Sequence, residues 1–509
     1  MRNAHARSAK ALAKEGLALV GKGDVERGYK LCLASMLLSP SLDGCVAFTH
    51  AFFTLQDFER ALPFASEGLG IEADNAFLNY TAAVGLFSAQ RHEEALELFS
   101  RAIAAAPEAY EPKLSRALVL AVLGRNDESI EGCREVLSAD TLSPTDRENT
   151  TNNLACVYML KGMPDQALAI LDDAYPDTTN DRTLFYKAIV RLGRGDWPQA
   201  WHTYRARHGL HLNGAYPMPQ VPLPRAATLD DLRNKSVLLC HEQGMGDSIQ
   251  FLRYAPQLRE LAKDLVIWVP TPLVRLAETM VLGENPSVTA YVTEDVGKAC
   301  DVAVGMMDLP ALFNTTVATI PSHRCFGPVP AEILETRRLR YTVRPRVGLC
   351  WRGMSRKENV TWVSTDAARS VDFADGIGHL IASFSHQVAF VSLQRTAEHR
   401  VPNYYRRWVE EPIADDFDFL DTAAVVDQLD LVITVDTAVA HLAASYGKPV
   451  WLLSRYDGCW RWFFDYRRTS PWYPSMKIYR QTELFNWTAT IDCVIGDLAG
   501  WLMERRAAA

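Results

Sequence analysis

Long apolar runs are what this chain of 509 residues lacks first: no stretch reaches the roughly 18 residues that a membrane-crossing helix needs. The opening MRNAHARSAKALAKEGLALVGKG has basic residues but not the continuous apolar segment of a signal peptide, so a cytoplasmic chain is expected. Clustered positive charge is also missing. With 53 Lys and Arg against 61 Asp and Glu, the net charge of −8 argues against a general nucleic-acid binder. The ten cysteines include no CxxC pair and no Cys/His cluster at zinc spacing, so a protein metal site is not expected. Cys45, Cys156, Cys240 and Cys350 stand among apolar neighbours and read as small core residues of a reducing compartment. No tract is of low complexity, and 48% hydrophobic with 22% charged residues is a globular composition. The length exceeds one ordinary core, so two or three domains are expected.

What is present first is a repeat. A small residue is followed seven positions later by Gly or a turn, and five later by a second small residue. The pattern fits Gly16-Gly23-Gly28, Ala83-Gln90-Ala95, Ala117-Gly124-Ser129, Ala155-Gly162-Ala167 and Ala188-Gly195-Ala200. Its anchor recurs at 28, 61, 95, 129, 167 and 200, with spacings of 33, 34, 34, 38 and 33. Two packed antiparallel helices per period require this, because small side chains let backbones approach and glycine permits the turn. The pattern resembles the tetratricopeptide repeat, in about six copies. The longer spacing around Ser143-Pro144-Thr145 implies an extended turn between repeats. Such a solenoid forms a groove suited to an extended protein segment, the favoured reading; the alternative is that it only mediates oligomerisation or stiffens the chain.

Beyond a Pro-rich linker, HLNGAYPMPQVPLPRA, short apolar runs alternate with helical stretches: SVLLC, DLVIWV, DVAVG, RVGLCW, VAFVSL, LVITV and PVWLL. Continuous apolar runs, each followed by a helix, indicate parallel sheets covered on both faces. The expected domains are a repeat solenoid over 1–210, a linker over 211–227, and two doubly wound halves over 228–335 and 336–509.

Ligands of such sheets bind beyond the carboxyl ends of strands, and three strand ends carry chemistry. In HEQGMGDSIQ, Gly244 and Gly246 allow a tight turn, and Asp247 caps or opens the following helix. This loop is not the full dinucleotide fingerprint. After RVGLCW, a polar loop bears Arg352, Arg356, Lys357 and Arg369, cations suited to a leaving diphosphate; Arg352 and Lys357 lie nearest the strand. After LVITV, Asp436 precedes Thr437, Ala438 and Val439, whose backbone N–H groups open a helix and can seat a phosphate. An acid there would repel the anion, so Asp436 reads as a helix cap and an acceptor for a sugar hydroxyl. Thr437 and His441 lie four apart on one face of that helix. In the aromatic stretch RYDGCWRWFFDYRRTSPWYPSMKIYRQ, Trp460, Trp462, Trp472 and Tyr473 can stack a base or sugar with Arg461 and Arg468 near phosphate, or form a packed lid that anchors the closing helix 487–505.

DTAVAHLAASYGKPVWLL resembles the D-[ST]-x-x-x-H-L-A-x-x-x-x-K-P segment of the heptosyltransferases, glycosyltransferases of the GT-B fold, and HEQGMGDSIQ resembles their amino-terminal loop. GMGDSIQFLRY, VGLCWRG, VSLQ, DFDFLDTAA and SPWYPSMKIYRQ occur in the order found in bacterial proteins that fuse tetratricopeptide repeats to such a module, and together they span nearly all of 235–485. The architecture is also similar to that of protein O-GlcNAc transferases. The resemblance implies a helical solenoid followed by a GT-B α/β module of two Rossmann-like halves. It further implies inverting sugar transfer without a metal or other cofactor. Asp247 matches the general base. Lys357 falls in the loop that holds donor phosphate, Asp436 matches the contact to the donor sugar, and Thr437, Ala438 and His441 fall at the diphosphate helix. Gln394 and Glu398 fall where the donor's nucleoside is contacted. The implied partners are a nucleotide-sugar and a protein Ser or Thr hydroxyl brought by the repeats, as on a flagellin or an adhesin, with homo-oligomerisation left open. Two rivals stand beside this reading: an inactive repeat scaffold, and an enzyme acting on a lipid or polysaccharide acceptor.

Overall fold

The structure is a computed structural model that describes residues 2–210, 223–280, 282, 287–289, 299–353, 368–395, 400–465 and 467–508. The chain divides into two compact units, Met1–Ala174 and Tyr175–Ala509.

The first unit consists of helix pairs, beginning Arg2–Gly21 with Val25–Leu38 and ending Pro144–Leu160 with Pro164–Ala174. Small residues sit where two helices touch. A Cβ on Gly16 would stand 2.8 Å from Cys32 Sγ, and one on Gly28 would stand 2.8 Å from the Gly16 carbonyl oxygen. Ala83, Ala95, Ala117, Ala155 and Ala167 are all buried. The turn positions of the repeat have left-handed backbone, with φ of +88° at Gly23 and +63° at Gln90. The extended turn begins at Ser143, whose hydroxyl accepts from the Asp146 N–H at 3.1 Å and caps the helix that follows.

The sixth helix pair, Asp181–Arg194 and Gln199–Tyr204, belongs to the second unit. The repeat pattern runs to 210, but the first unit closes at Ala174. The reason is packing: Trp197, Trp201 and Tyr204 join the same apolar core as Phe251, Trp460 and Trp472. Gly193 lies so close to Phe464 that a Cβ there would overlap its ring. Gly193→Ala is expected to destabilise the second unit by about 1–3 kcal/mol despite the better helix propensity of alanine, read as a lowered urea midpoint.

Two parallel sheets follow. The first contains β1 (Ser236–Cys240), β2 (Asp264–Trp268), β3 (Ser287–Thr289) and β4 (Val302–Gly305), in the order β3-β2-β1-β4. Residues 224–226 of the expected linker extend its edge, with the Ala226 N–H donating to the Ala303 carbonyl at 3.0 Å. The second contains β5 (Arg346–Cys350), β6 (Ala389–Ser392), β7 (Val409–Glu410), β8 (Leu431–Val435), β9 (Val450–Ser454) and β10 (Met476–Arg480). Its order β7-β6-β5-β8-β9-β10, counted from β5 as strand one, is 3-2-1-4-5-6. That is the doubly wound arrangement, with its switch point between β5 and β8. The closing helix Thr488–Ala508 lays Ile491, Val494, Leu498 and Leu502 onto the core under this sheet. Each apolar run read from the sequence is one of these strands; β3, β7 and β10 are additional.

Candidate functional site

The switch point of the first sheet, between the ends of β1 and β4, is filled by the chain itself. Arg207, just after the sixth helix pair, donates to both oxygens of Glu242 at 2.9 Å and to Asp308 at 2.8 Å. His208 meets the same Asp308 carboxylate at 3.0 Å. Burial alone would push the Asp308 carboxyl up, but Arg207, His208 and Arg205 outweigh it and hold it well below the usual carboxylate range. One residue further on, Gln243 has left-handed backbone at φ +61° and donates to the Tyr204 hydroxyl at 3.0 Å. The strained start of the glycine loop is thus clamped from two sides.

That loop opens the helix Met245–Phe251. Asp247 acts as a cap, accepting the Gly244 N–H at 2.8 Å through Oδ2. Its Oδ1 is paired with the guanidinium of Arg461, from the second sheet's half. Gly246 faces the other half closely: a Cβ there would stand 3.0 Å from His441 Cδ2 and 3.3 Å from Ala438 Cα. The glycine loop and the start of the helix Ala438–Ser445 therefore meet. Gly244, Gly246, Asp247, Thr437, Ala438 and His441 form one neighbourhood.

Thr437, and not Asp436 as expected, is the N-cap residue of that helix, because the helical backbone starts one residue later, and the Thr437 hydroxyl does not cap it. Instead Oγ1 lies 3.3 Å from Thr434 Oγ1 and 3.8 Å from Cys350 Sγ, joining the ends of β8 and β5 at the switch point. His441 is buried rather than presented to the helix mouth. Its Nδ1 meets the Tyr473 hydroxyl at 3.0 Å, and its ring stacks on Trp462 at 5.3 Å. Asp436 and Ala438 are half-buried beside it, and Arg369 donates to the Asp436 carbonyl at 3.1 Å.

Among the loop cations, Arg352 is exposed, whereas Arg369 lies across Gly353 at the switch point. Gln394 Oε1 accepts the N–H groups of Trp351 and Arg352, each at 2.9 Å, and so ties the end of β6 to the end of β5. It also borders a cavity of about 230 Å³ with Arg395, Arg400 and Glu411. Lys357 and Glu398 lie outside the described residues. Trp460, Trp462, Trp472 and Tyr473 are buried, so the packed alternative holds, and they pack around the glycine-loop helix and the sixth helix pair rather than on the closing helix. Arg461, inside that stretch, was expected near phosphate if the stretch stacks a ligand; its pairing with Asp247 is what no local signal announced. Among the described residues no three His, Cys, Asp or Glu side chains are grouped to hold a metal.

His441 and His241 share an electrostatic consequence. Burial pushes both imidazoles down to about 4. In the unfolded chain each titrates near about 6.5. Between those values the unfolded chain binds protons that the folded one refuses, so stability rises with pH across this window. Acidifying from about pH 7 to pH 5 is expected to cost about 1–2 kcal/mol per histidine. Urea titrations at the two pH values check this, and His441→Asn should flatten part of the slope.

The fold and the site define a class: tetratricopeptide-like helical repeats followed by an α/β unit of two parallel sheets whose strand ends meet at a glycine loop. The chain is similar to Protein FlbA of Caulobacter vibrioides, 27% identical over 443 residues that cover 81% of this chain and 71% of that protein. No protein-family model matches it. Among solved structures, MamA has 16% identity and a TM-score of 0.30, covering 33% of this chain and 91% of that one. PilF of Pseudomonas aeruginosa has 17% identity and a TM-score of 0.30, covering 40% of this chain and 90% of that one. YrrB, a TPR protein described as having an unusual peptide-binding site, has 14% identity and a TM-score of 0.29, covering 36% of this chain and 93% of that one.

Proposed function

We propose that the chain is a metal-independent inverting glycosyltransferase of the GT-B type. It moves a sugar from a nucleotide-sugar to a Ser or Thr hydroxyl of a cytoplasmic protein, such as a flagellin or an adhesin, recruited by the repeats. The observation that carries this reading is the meeting of Gly246 with Ala438, which brings the loop bearing Asp247 to the helix end at the switch point of the second sheet. A nucleotide bound at that switch point sets its phosphate at the start of the helix Ala438–Ser445, where backbone N–H groups and the helix dipole favour negative charge. Arg369 and Arg461 are cations on the same rim and can stabilise charge on the leaving phosphate. Asp247 is then the acceptor's base, Asp436 takes a sugar hydroxyl, and the cavity beside Gln394 suits the nucleoside.

The double engagement of Asp247, as cap and as ion pair, favours a second reading, a scaffold that has lost catalysis. One experiment separates the two. The full chain is incubated with UDP-, GDP-, ADP- and CMP-sugars and a candidate acceptor protein. Thermal stabilisation selects the donor, and intact mass of the acceptor reports transfer. A mass gain equal to one sugar residue supports the enzyme. Stabilisation by no donor, with no mass gain, leaves the scaffold.

A further inference from the structure

We propose that Arg461 serves two anions in turn: the Asp247 carboxylate in the unliganded chain, and the donor's phosphate once a nucleotide-sugar is bound. Donor binding is then what frees Asp247 to take the acceptor's proton. The inference rests on the transfer reaction proposed above and names the residue that couples its two halves.

Asp247 has no idle oxygen. Oδ2 holds the Gly244 N–H at 2.8 Å and starts its helix, so it cannot be released without unwinding the loop. Oδ1 is the oxygen able to accept a proton, and Arg461 holds it. The Arg461 side chain is 11% exposed and that of Asp247 17%. While Arg461 Nη2 sits on Oδ1, that oxygen is not open to the proton of an incoming hydroxyl until the guanidinium is drawn away. Arg461 is anchored near its stem, where Nε donates to Gln250 Oε1 at 3.1 Å and the guanidinium lies 4.1 Å over the Trp460 ring. The Nη2 end is therefore the part that exchanges partners.

The surroundings hold donors in excess. Among the described residues, Gln250 Nε2, on the amide that anchors Arg461, and Trp462 Nε1, next in the chain, are buried without an acceptor. Buried donors rarely remain unsatisfied, and an anion arriving here gives them a partner. A guanidinium fork matches phosphate oxygens as well as it matches carboxylate, and the trade costs no cation. The step then balances. The acceptor oxygen forms its bond to the anomeric carbon, and its proton goes to Asp247 Oδ1. The bond from the anomeric carbon to the phosphate oxygen breaks, its electron pair leaves with the nucleotide, and Arg461 faces the new charge.

The test uses inorganic pyrophosphate and the full chain, with affinity measured by isothermal titration calorimetry. Asp247→Asn removes the competing carboxylate and should bind pyrophosphate about tenfold more tightly than the wild type. Arg461→Ala should bind it at least about tenfold more weakly, with Arg461→Lys in between. Equal affinity in the wild type and Arg461→Ala overturns the proposal. So does Asp247→Asn binding no more tightly than the wild type, including the case in which neither binds. If Arg461→Ala fails to fold by circular dichroism, Asp247→Asn alone decides. No donor or acceptor is present in this titration. The predicted affinities without sugar transfer would therefore sink the enzyme reading alone, and transfer with unchanged affinities would sink the exchange alone.

Discussion

Asp247→Asn is expected to lower sugar transfer by at least about 100-fold while donor binding persists. Positioned proton transfer contributes about 10²–10⁴-fold, and an amide cannot accept the acceptor's proton. The amide oxygen can still accept the Gly244 N–H, so the start of the helix is preserved. Loss of the negative charge leaves Arg461 buried without its ion pair, at a cost to stability. The melting midpoint must accordingly be measured beside the rate. A variant that folds, binds donor and does not transfer marks Asp247 as the base. Transfer within a few fold of wild type, in a folded variant, removes Asp247 from the mechanism.

The second large effect lies in the first sheet. Arg207→Ala is expected to destabilise the second unit by about 3–5 kcal/mol, read from urea unfolding, because it strands two buried carboxylates in one place. The Arg207, Glu242 and Asp308 side chains are 3%, 6% and 5% exposed, so water cannot replace the lost cation. His208 meets Asp308 at 3.0 Å and Arg205 reaches it at 3.7 Å, but it is Arg207 that donates to both Glu242 oxygens. Replacing all three as Arg207→Met, Glu242→Leu and Asp308→Leu should recover much of the loss, since burying matched apolar groups avoids the desolvation of charge. A loss under about 1 kcal/mol for Arg207→Ala would mean that the cluster is hydrated in solution, as surface pairs are.

The parts that could be read in the sequence were those that depend on near neighbours in the chain. Strand LVITV and the helix after Thr437 declare themselves by apolar runs and by spacing. Gly23, Gly124 and Gly162 mark turns because their left-handed backbone disfavours a Cβ. The seven-residue spacing found helix pairs but not the packing of a pair: Asp181–Tyr204 keeps the repeat spacing, and what it did not show is that Trp201 meets Trp460 and Trp472. β7 was missed because two residues are too few to show a pattern.

The site divided in the same way. The turn of Gly244 and Gly246 into a helix was legible because a strand-end glycine turn is local. His441 was legible as a helix position, but its burial against Tyr473 was not. Gln394 was picked as a ligand contact, and what the sequence did not show is that its carbonyl closes the gap between two strand ends. Arg461 stands 214 positions from its partner, and no periodicity spans that distance.

The sequence by itself determined the six helix pairs, seven of the ten strands found among the described residues, and the glycine turn after β1, because hydrogen bonding and side-chain period act over a few residues. Only the tertiary structure decided where the first compact unit closes, that Arg207 fills the first switch point, and that Asp247 faces Arg461. Those outcomes depend on which surfaces lose water together and which charges then have no other partner, and that is a property of the packed chain.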